Sequence, residues 1–536
     1  MARMTGGQAL IKSLHREGVR TIFGMPGVQM YHAMDALYHE PGIRFITVRH
    51  EQAAAYMAFG YSKAGGDGIG TALVVPGPGL LNATAGVGTA YSASTPTLLV
   101  SGQAYTHEIG KDTGALHEVN DQLDVVGPIT KWAARMTSVA DVPATVHEAF
   151  RQLKTGRQRP VEIEIAWDTL AAEDDVDLLE QAIYEPLAPD DEDVEKVVGM
   201  LAQAKHPLIW AGWGVTLSDA NNILQRVAEH IQAPVITSAD GKGSLPYDHP
   251  LSVGTPGWRF GPPELDKLVQ DADLVLAVGS RLGRTNLTGE HRIIQIDVDA
   301  DEIGRNFSQA IGVHGDARVT LERVYQRLKA AQPVRPSRAD EIAAIKRKRV
   351  NPASFVQPQG EFVEAIQNAM PDDGILVEGV TQIGYASREL FTVQQPRKYI
   401  TSSYFGNLGY AYPTALGAKV ARPDVPVVAV SGDGGFLYNS QELATAVKHG
   451  INAIVLVFND NAFGNVYRDQ INKFDGRAYG SELYNPDFMK LADAYGVRGV
   501  RVASPDELET KLKESMGIEA PTLIEIPVGM MPDPFV

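Results

Sequence analysis

Short apolar runs alternate along this chain with stretches in which apolar residues recur three and four positions apart. The first pattern predicts buried strands and the second amphipathic helices, so the alternation predicts parallel sheets covered by helices on both faces. Strands are predicted over 71–75, 97–100 and 161–165 in the first third, over 208–210, 235–237, 274–278 and 293–298 in the middle, and over 375–377, 427–430, 454–458 and 523–526 in the last. Two stretches break the pattern. Residues 169–195 are acidic and contain proline, with Asp174, Asp175, Asp190, Asp191 and Asp193; residues 332–359 carry Pro333, Pro336, Pro352 and Pro358 among basic side chains. Both read as interdomain connections. The expectation is an α/β chain of three doubly wound parallel-sheet domains, at 1–168, 189–331 and 360–536.

A length of 536 residues agrees with several domains, at roughly 150 residues each. The formal charge of −17 gives the surface no general attraction for nucleic acid or anionic membranes, so small-molecule partners are expected instead. There is no cysteine, which excludes disulfides, thiolate metal sites and cysteine nucleophiles together. Any metal must use oxygen or histidine ligands. No apolar run is long enough to span a bilayer, and Met1 to Gly18 lack the apolar core of a secretory signal, so a cytoplasmic location is expected.

Candidate chemistry concentrates in the last third. The strand at 427–430 runs into Gly432-Asp433-Gly434-Gly435 and then a helical pattern, an order that suits phosphate, because glycines let backbone amides approach an anion. The next strand ends in Asn459-Asp460-Asn461-Ala462-Phe463-Gly464. Adjacent parallel strands end side by side, which brings Asp433 and Asp460 to one crevice. Such a pair suits magnesium, which is held by one or two carboxylates plus phosphate and water oxygens. The same residues also fit a helix cap at Asp433 and a polar turn at 459–461.

Gly-Asp-Gly followed by an Asn-rich strand end resembles the fingerprint of thiamine-diphosphate enzymes. The resemblance implies Asp433 as first metal ligand, Asp460 where the family has its second Asn, and the Ala462 carbonyl; a one-residue shift would make Asn459 or Asn461 the ligand instead. It also implies diphosphate contacts from Gly432, Gly434, Gly435, Phe463 and Gly464. Arg49-His50-Glu51-Gln52, at the start of a predicted helix, resembles the family segment whose glutamate bonds the aminopyrimidine N1′ of the cofactor. Tyr404-Phe405-Gly406-Asn407-Leu408-Gly409 resembles the loop that bends the cofactor, with Leu408 as the apolar wedge and the Gly406 carbonyl as an acceptor. Gly379 and Gln382 resemble a second diphosphate contact, with Ile383 in place of the family's His; Gly24-Met25-Pro26-Gly27 and Gly77-Pro78-Gly79 resemble loops on the pyrimidine side.

The resemblance is nearest to the acetolactate-synthase-like branch, through Ala115-Leu116-His117-Glu118, Thr130-Lys131-Trp132 and Asn485-Pro486-Asp487-Phe488. It implies pyrimidine-binding, central and diphosphate-binding domains, and decarboxylation of a 2-keto acid with carboligation of the resulting enamine to a second carbonyl compound. His117 is a candidate proton-transfer group on a loop. The branch also carries FAD in its central domain, but Arg281-Leu282-Gly283-Arg284 departs from the matching motif, and Asp469 stands where a Trp selects the acceptor. The alternatives are a carbon–carbon lyase or simple decarboxylase acting on a 2-hydroxyketone or acyl-CoA, and a non-enzymatic regulatory protein, against which the intact Glu51 speaks. A homodimer or homotetramer is implied, with Glu51 and Asp433 meeting across a two-fold interface.

Overall fold

The computed structural model describes residues 2–256, 263–283, 285–348 and 351–534. They build three six-stranded parallel sheets flanked by helices. The first sheet runs, in spatial order, Arg44–Thr47, Thr21–Gly24, Gly70–Val74, Thr97–Gln103, Val161–Ala166 and Trp132–Met136. The last runs Tyr399–Ile400, Ile375–Glu378, Val427–Gly432, Ile454–Asn459, Thr522–Pro527 and Arg498–Arg501. Numbered within their own domains, both follow the order 2-1-3-4-6-5, whereas the middle sheet follows 3-2-1-4-5-6. In such sheets the chain reverses its winding direction at one place. The crevice there, outside the carboxyl ends of the strands, is where ligands bind.

Burial on both faces explains why the predicted strands read as continuous apolar runs: Leu98 and Val100 enter one core and Leu99 the other. Strands that the pattern missed are short or polar, such as Arg44–Thr47 at a sheet edge. The two expected connections are not free chain. Within 169–195, Glu173–Val176 pairs antiparallel with Ala2–Thr5, and the helix Asp191–Gln203 begins. Within 332–359, the helix Ala339–Lys348 buries Ile342 and Ile345 against Trp210 and Leu265 of the middle domain. Its many charges mask two apolar residues at helical spacing.

The outer domains share one core. The helix Glu51–Lys63 lies against Ala411–Ala421, each following the second strand of its own sheet. The contact is backbone to backbone: a Cβ at Gly60 would stand 2.1 Å from the Thr414 carbonyl oxygen, and one at Gly417 2.0 Å from that of Met57. Among the described residues no helix is long and apolar enough to cross a membrane.

Candidate active site

In the last sheet, Val427–Gly432 and Ile454–Asn459 are parallel neighbours with Gly432 opposite Phe458, so they end together. This places Asp433, buried, and Asp460, half-buried, with their carboxyl groups within hydrogen-bonding reach. Burial, with the like charge of Asp433 and the bond between the two carboxyls added to it, raises Asp460 to about 6, against backbone hydrogen bonds that lower it. Asp433 is also raised by burial, opposed by a hydrogen bond from Asn485. Of the three ligand candidates at this strand end, Asp460 is the side chain that meets Asp433, while the Asn459 amide donates to Glu525 Oε1 at 3.0 Å. No group of three or more His, Asp or Glu side chains gathers among the described residues. A cation held here would take two carboxylates and the Ala462 carbonyl, with its remaining positions left to phosphate and water oxygens, a donor set suited to magnesium.

The glycines at this rim differ in what requires them. At Gly434 a Cβ would meet the Phe463 ring at 2.6 Å, and at Gly464 the Asp460 carboxylate at 2.1 Å, so a side chain at either position would displace one of these groups. At Gly432 and Gly435 the nearest atoms stand at 3.6 and 3.4 Å and φ is not positive, so an alanine would fit the chain itself. Glycine at these two positions leaves no side chain between the backbone and an approaching anion. Gly379 lies on the neighbouring strand end, its N–H donating to Val430 O at 2.8 Å. Gln382 opens the helix Gln382–Leu390 with Oε1 buried and without a partner. The donor set and the open glycines together fit a cation-bound diphosphate.

The loops at the carboxyl ends of the first sheet, with the loop 404–409 of the last domain, hold the other candidates. Glu51 is the first residue of its helix, half-buried, and its Oε2 accepts from Asn82 at 3.0 Å. His50 caps the same helix, Nδ1 accepting from the Gln52 N–H at 3.1 Å. Glu442 of the last domain accepts from the Arg49 N–H at 3.1 and 3.2 Å, so the chain entering Glu51 is held from across the domain contact. Gly77 has φ +57, donates its N–H to Gln122 at 2.6 Å, and a Cβ there would stand 2.3 Å from the His117 carbonyl oxygen. His117 is half-buried, with Nδ1 3.1 Å from Gln29 Oε1. Gly27 precedes the short turn Val28–Met30 beside Val75. Leu408, half-buried, follows Asn407, which bonds Tyr56 and Thr89 of the first domain; Gly406 is exposed.

Sequence reasoning gave no role to Asn82, Gln122, Glu442 or Asn485, each a lone polar residue whose partner lies far along the chain. Asp469 is partly exposed and pairs with Lys473 at 2.7 Å. Arg284 lies outside the described residues. Arg281 stacks its guanidinium 4.5 Å over the Tyr404 ring, in a cleft of about 2030 Å³ among all three domains that is also lined by Arg157, Trp213, Asp297 and Gly406.

Comparison with known proteins agrees with this geometry. Residues 4–125 match the model of the thiamine pyrophosphate enzyme N-terminal TPP binding domain, 194–324 that of the central domain, and 379–526 that of the C-terminal TPP binding domain. A probable acetolactate synthase large subunit of Methanocaldococcus jannaschii is 35% identical over 98% of this chain and 92% of its own length. A probable 2-ketoarginine decarboxylase of Pseudomonas aeruginosa is 35% identical over 98% and 94%. The acetolactate synthase isozyme 3 large subunit of Escherichia coli is 31% identical over 96% and 93%. The fold, the paired rims and these matches lead to one conclusion: the chain belongs to the thiamine pyrophosphate enzyme family, on its acetolactate synthase-like branch, and is a thiamine-diphosphate-dependent enzyme.

Proposed function

We propose that the protein decarboxylates a 2-keto acid in the cytoplasm and joins the resulting carbon nucleophile to a second carbonyl compound. The observation that carries this reading is the meeting of Asp433 and Asp460 beside Gly432 and Gly435, two glycines that the chain's own packing does not require. When bound, thiamine diphosphate supplies the electron sink that loss of carbon dioxide requires. Asp433, Asp460 and the Ala462 carbonyl would hold magnesium; Gly379, Gln382, Gly432, Gly434, Gly435, Phe463 and Gly464 would line the diphosphate. Glu51, oriented by Asn82, would hold a proton against the aminopyrimidine N1′. Leu408 would be the apolar support of the cofactor, the Gly406 carbonyl an acceptor for its amino group, and Gly27 part of the pyrimidine lining. His117 would exchange a proton with the substrate. In a homodimer or homotetramer, Glu51 of one subunit faces Asp433 of another.

A second reading, decarboxylation to an aldehyde without carboligation, is favoured by Asp469, which stands where carboligating members have the acceptor-selecting Trp. Incubation with magnesium, thiamine diphosphate and a panel of 2-keto acids, followed by NMR of the products, decides between them. A ketol with release of carbon dioxide supports the proposal, an aldehyde alone supports the second reading, and neither product with any acid sinks both. FAD has a candidate place in the three-domain cleft, which Trp213, Arg157 and Asp297 line. A colourless preparation removes it.

A further inference from the structure

Asn485 has no part in the reading above, yet its side chain touches three residues of the metal rim. Its Nδ2 lies 2.5 Å from Asp433 Oδ2, 2.9 Å from Asn459 Oδ1 and 3.3 Å from Asn461 Oδ1. The backbone around it is fixed on both sides. Upstream, the Leu483 N–H donates to Asn461 O and the Phe463 N–H to Ser481 O, both at 2.8 Å; downstream, Asp487 caps the helix Phe488–Tyr495, whose Phe488 is fully buried. The amide orientation is also determined. Arg501 Nε donates to Glu525 Oε2 at 2.8 Å, and Glu525 Oε1 accepts from Asn459 Nδ2, which turns Asn459 Oδ1 toward Asn485 and requires a donor there. A relay thus runs from Arg501 through Glu525, Asn459 and Asn485 to Asp433. It ends on Asp433 Oδ2, which accepts from the Asn485 amide. Asn485 Oδ1 is closed off from solvent and has no hydrogen-bond partner.

We propose that Asn485 is a positioning residue of the metal site, holding Asp433 in the rotamer that a divalent cation requires. This rests on the metal reading given above. Hydrogen-bonded partners that orient metal-binding carboxylates are typically worth about 10–100-fold in metal affinity. Mn²⁺ binding to the full-length protein, followed by electron paramagnetic resonance at saturating thiamine diphosphate, tests it in two backgrounds. Asn485→Ala is expected to weaken Mn²⁺ binding by about 10–100-fold in the natural chain. In an Asp433→Asn background the same change is expected to cost less than about twofold, because the group it orients is already altered. If Asn485→Ala does not fold, Asn485→Leu, of similar volume, carries the same expectation. Equal losses in both backgrounds, or no loss in the natural chain, overturn the proposal. Failure of the unaltered protein to bind Mn²⁺ overturns instead the metal reading beneath it.

Discussion

The first and last domains have one topology and opposite uses for it. In both, the winding reverses between the first and third strands, and glycine loops lie at that point: Gly27 and Gly77 in one, Gly379 and Gly432 in the other. In the first domain the crevice is closed by the protein itself. Gly77 is pressed against His117 and bonded to Gln122, and a Cβ at Gly27 would strike Val75 at 2.1 Å. In the last domain Gly379 is pressed in the same way, 2.2 Å from the Val430 carbonyl oxygen to a built Cβ, whereas Gly432 and Gly435 have neighbours only at ordinary contact distance, and two acids face each other beside them. Under the proposed function, the same reversal point positions side chains for chemistry in one copy and offers backbone to an anion in the other.

The largest expected effects test that division directly. Glu51→Gln should lower turnover by about 10²–10⁴-fold while leaving magnesium-dependent cofactor binding, measured calorimetrically, nearly unchanged. Asp433→Ala should abolish the binding itself. If the two variants lose binding and turnover in the same proportion, the division of labour is wrong.

Next come the glycines. Gly77→Ala forces a side chain into both a left-handed backbone and a carbonyl oxygen, and should destabilise the protein by about 1–3 kcal/mol in urea denaturation. Gly417→Ala, which drives a Cβ into the Met57 carbonyl at the domain contact, should cost a similar amount. Gly435→Ala should stay within about 0.5 kcal/mol and instead weaken thiamine diphosphate binding. A destabilised Gly435→Ala protein would mean that the last crevice is packed like the first.

The smallest effect is pH dependence at the joint. Burial pushes Glu442 from the ordinary 4.5 up to about 7, against hydrogen bonds from Thr445 and the Arg49 and His50 amides. The folded protein thus binds a proton that the unfolded chain releases, and Glu442 makes unfolding free energy fall as pH rises from 4.5 to 7. Its contribution has a slope of no more than about 1.4 kcal/mol per pH unit and is flat outside that window. Subtracting the stability curve of Glu442→Gln from that of the natural chain should isolate this slope; a difference that rises with pH would refute the assignment.

The three-sheet architecture was legible because strands buried on both faces leave continuous apolar runs, as at Leu274–Val278. The acidic rim was legible because two successive strand ends carry its chemistry in short segments. Asn82, Glu442 and Asn485 were not. Each meets its partner only after the chain has folded, Asn485 from 52 residues beyond Asp433 and Glu442 from 393 beyond Arg49. The helix Ala339–Lys348 was hidden for another reason: one turn of apolar contact suffices to dock it, and charges fill the rest.

The antiparallel ribbon of Ala2–Thr5 and Glu173–Val176 has a consequence for how this chain can be rearranged. Pairing Ala2 with Val176 brings the entrance and exit of the first domain to about 5 Å, one strand spacing. A unit whose ends meet behaves as a closed cassette, because inserting it elsewhere in a polypeptide, or cutting and rejoining it at a different loop, stretches no connection. The place of the first domain along the chain is therefore not dictated by the separation of its ends.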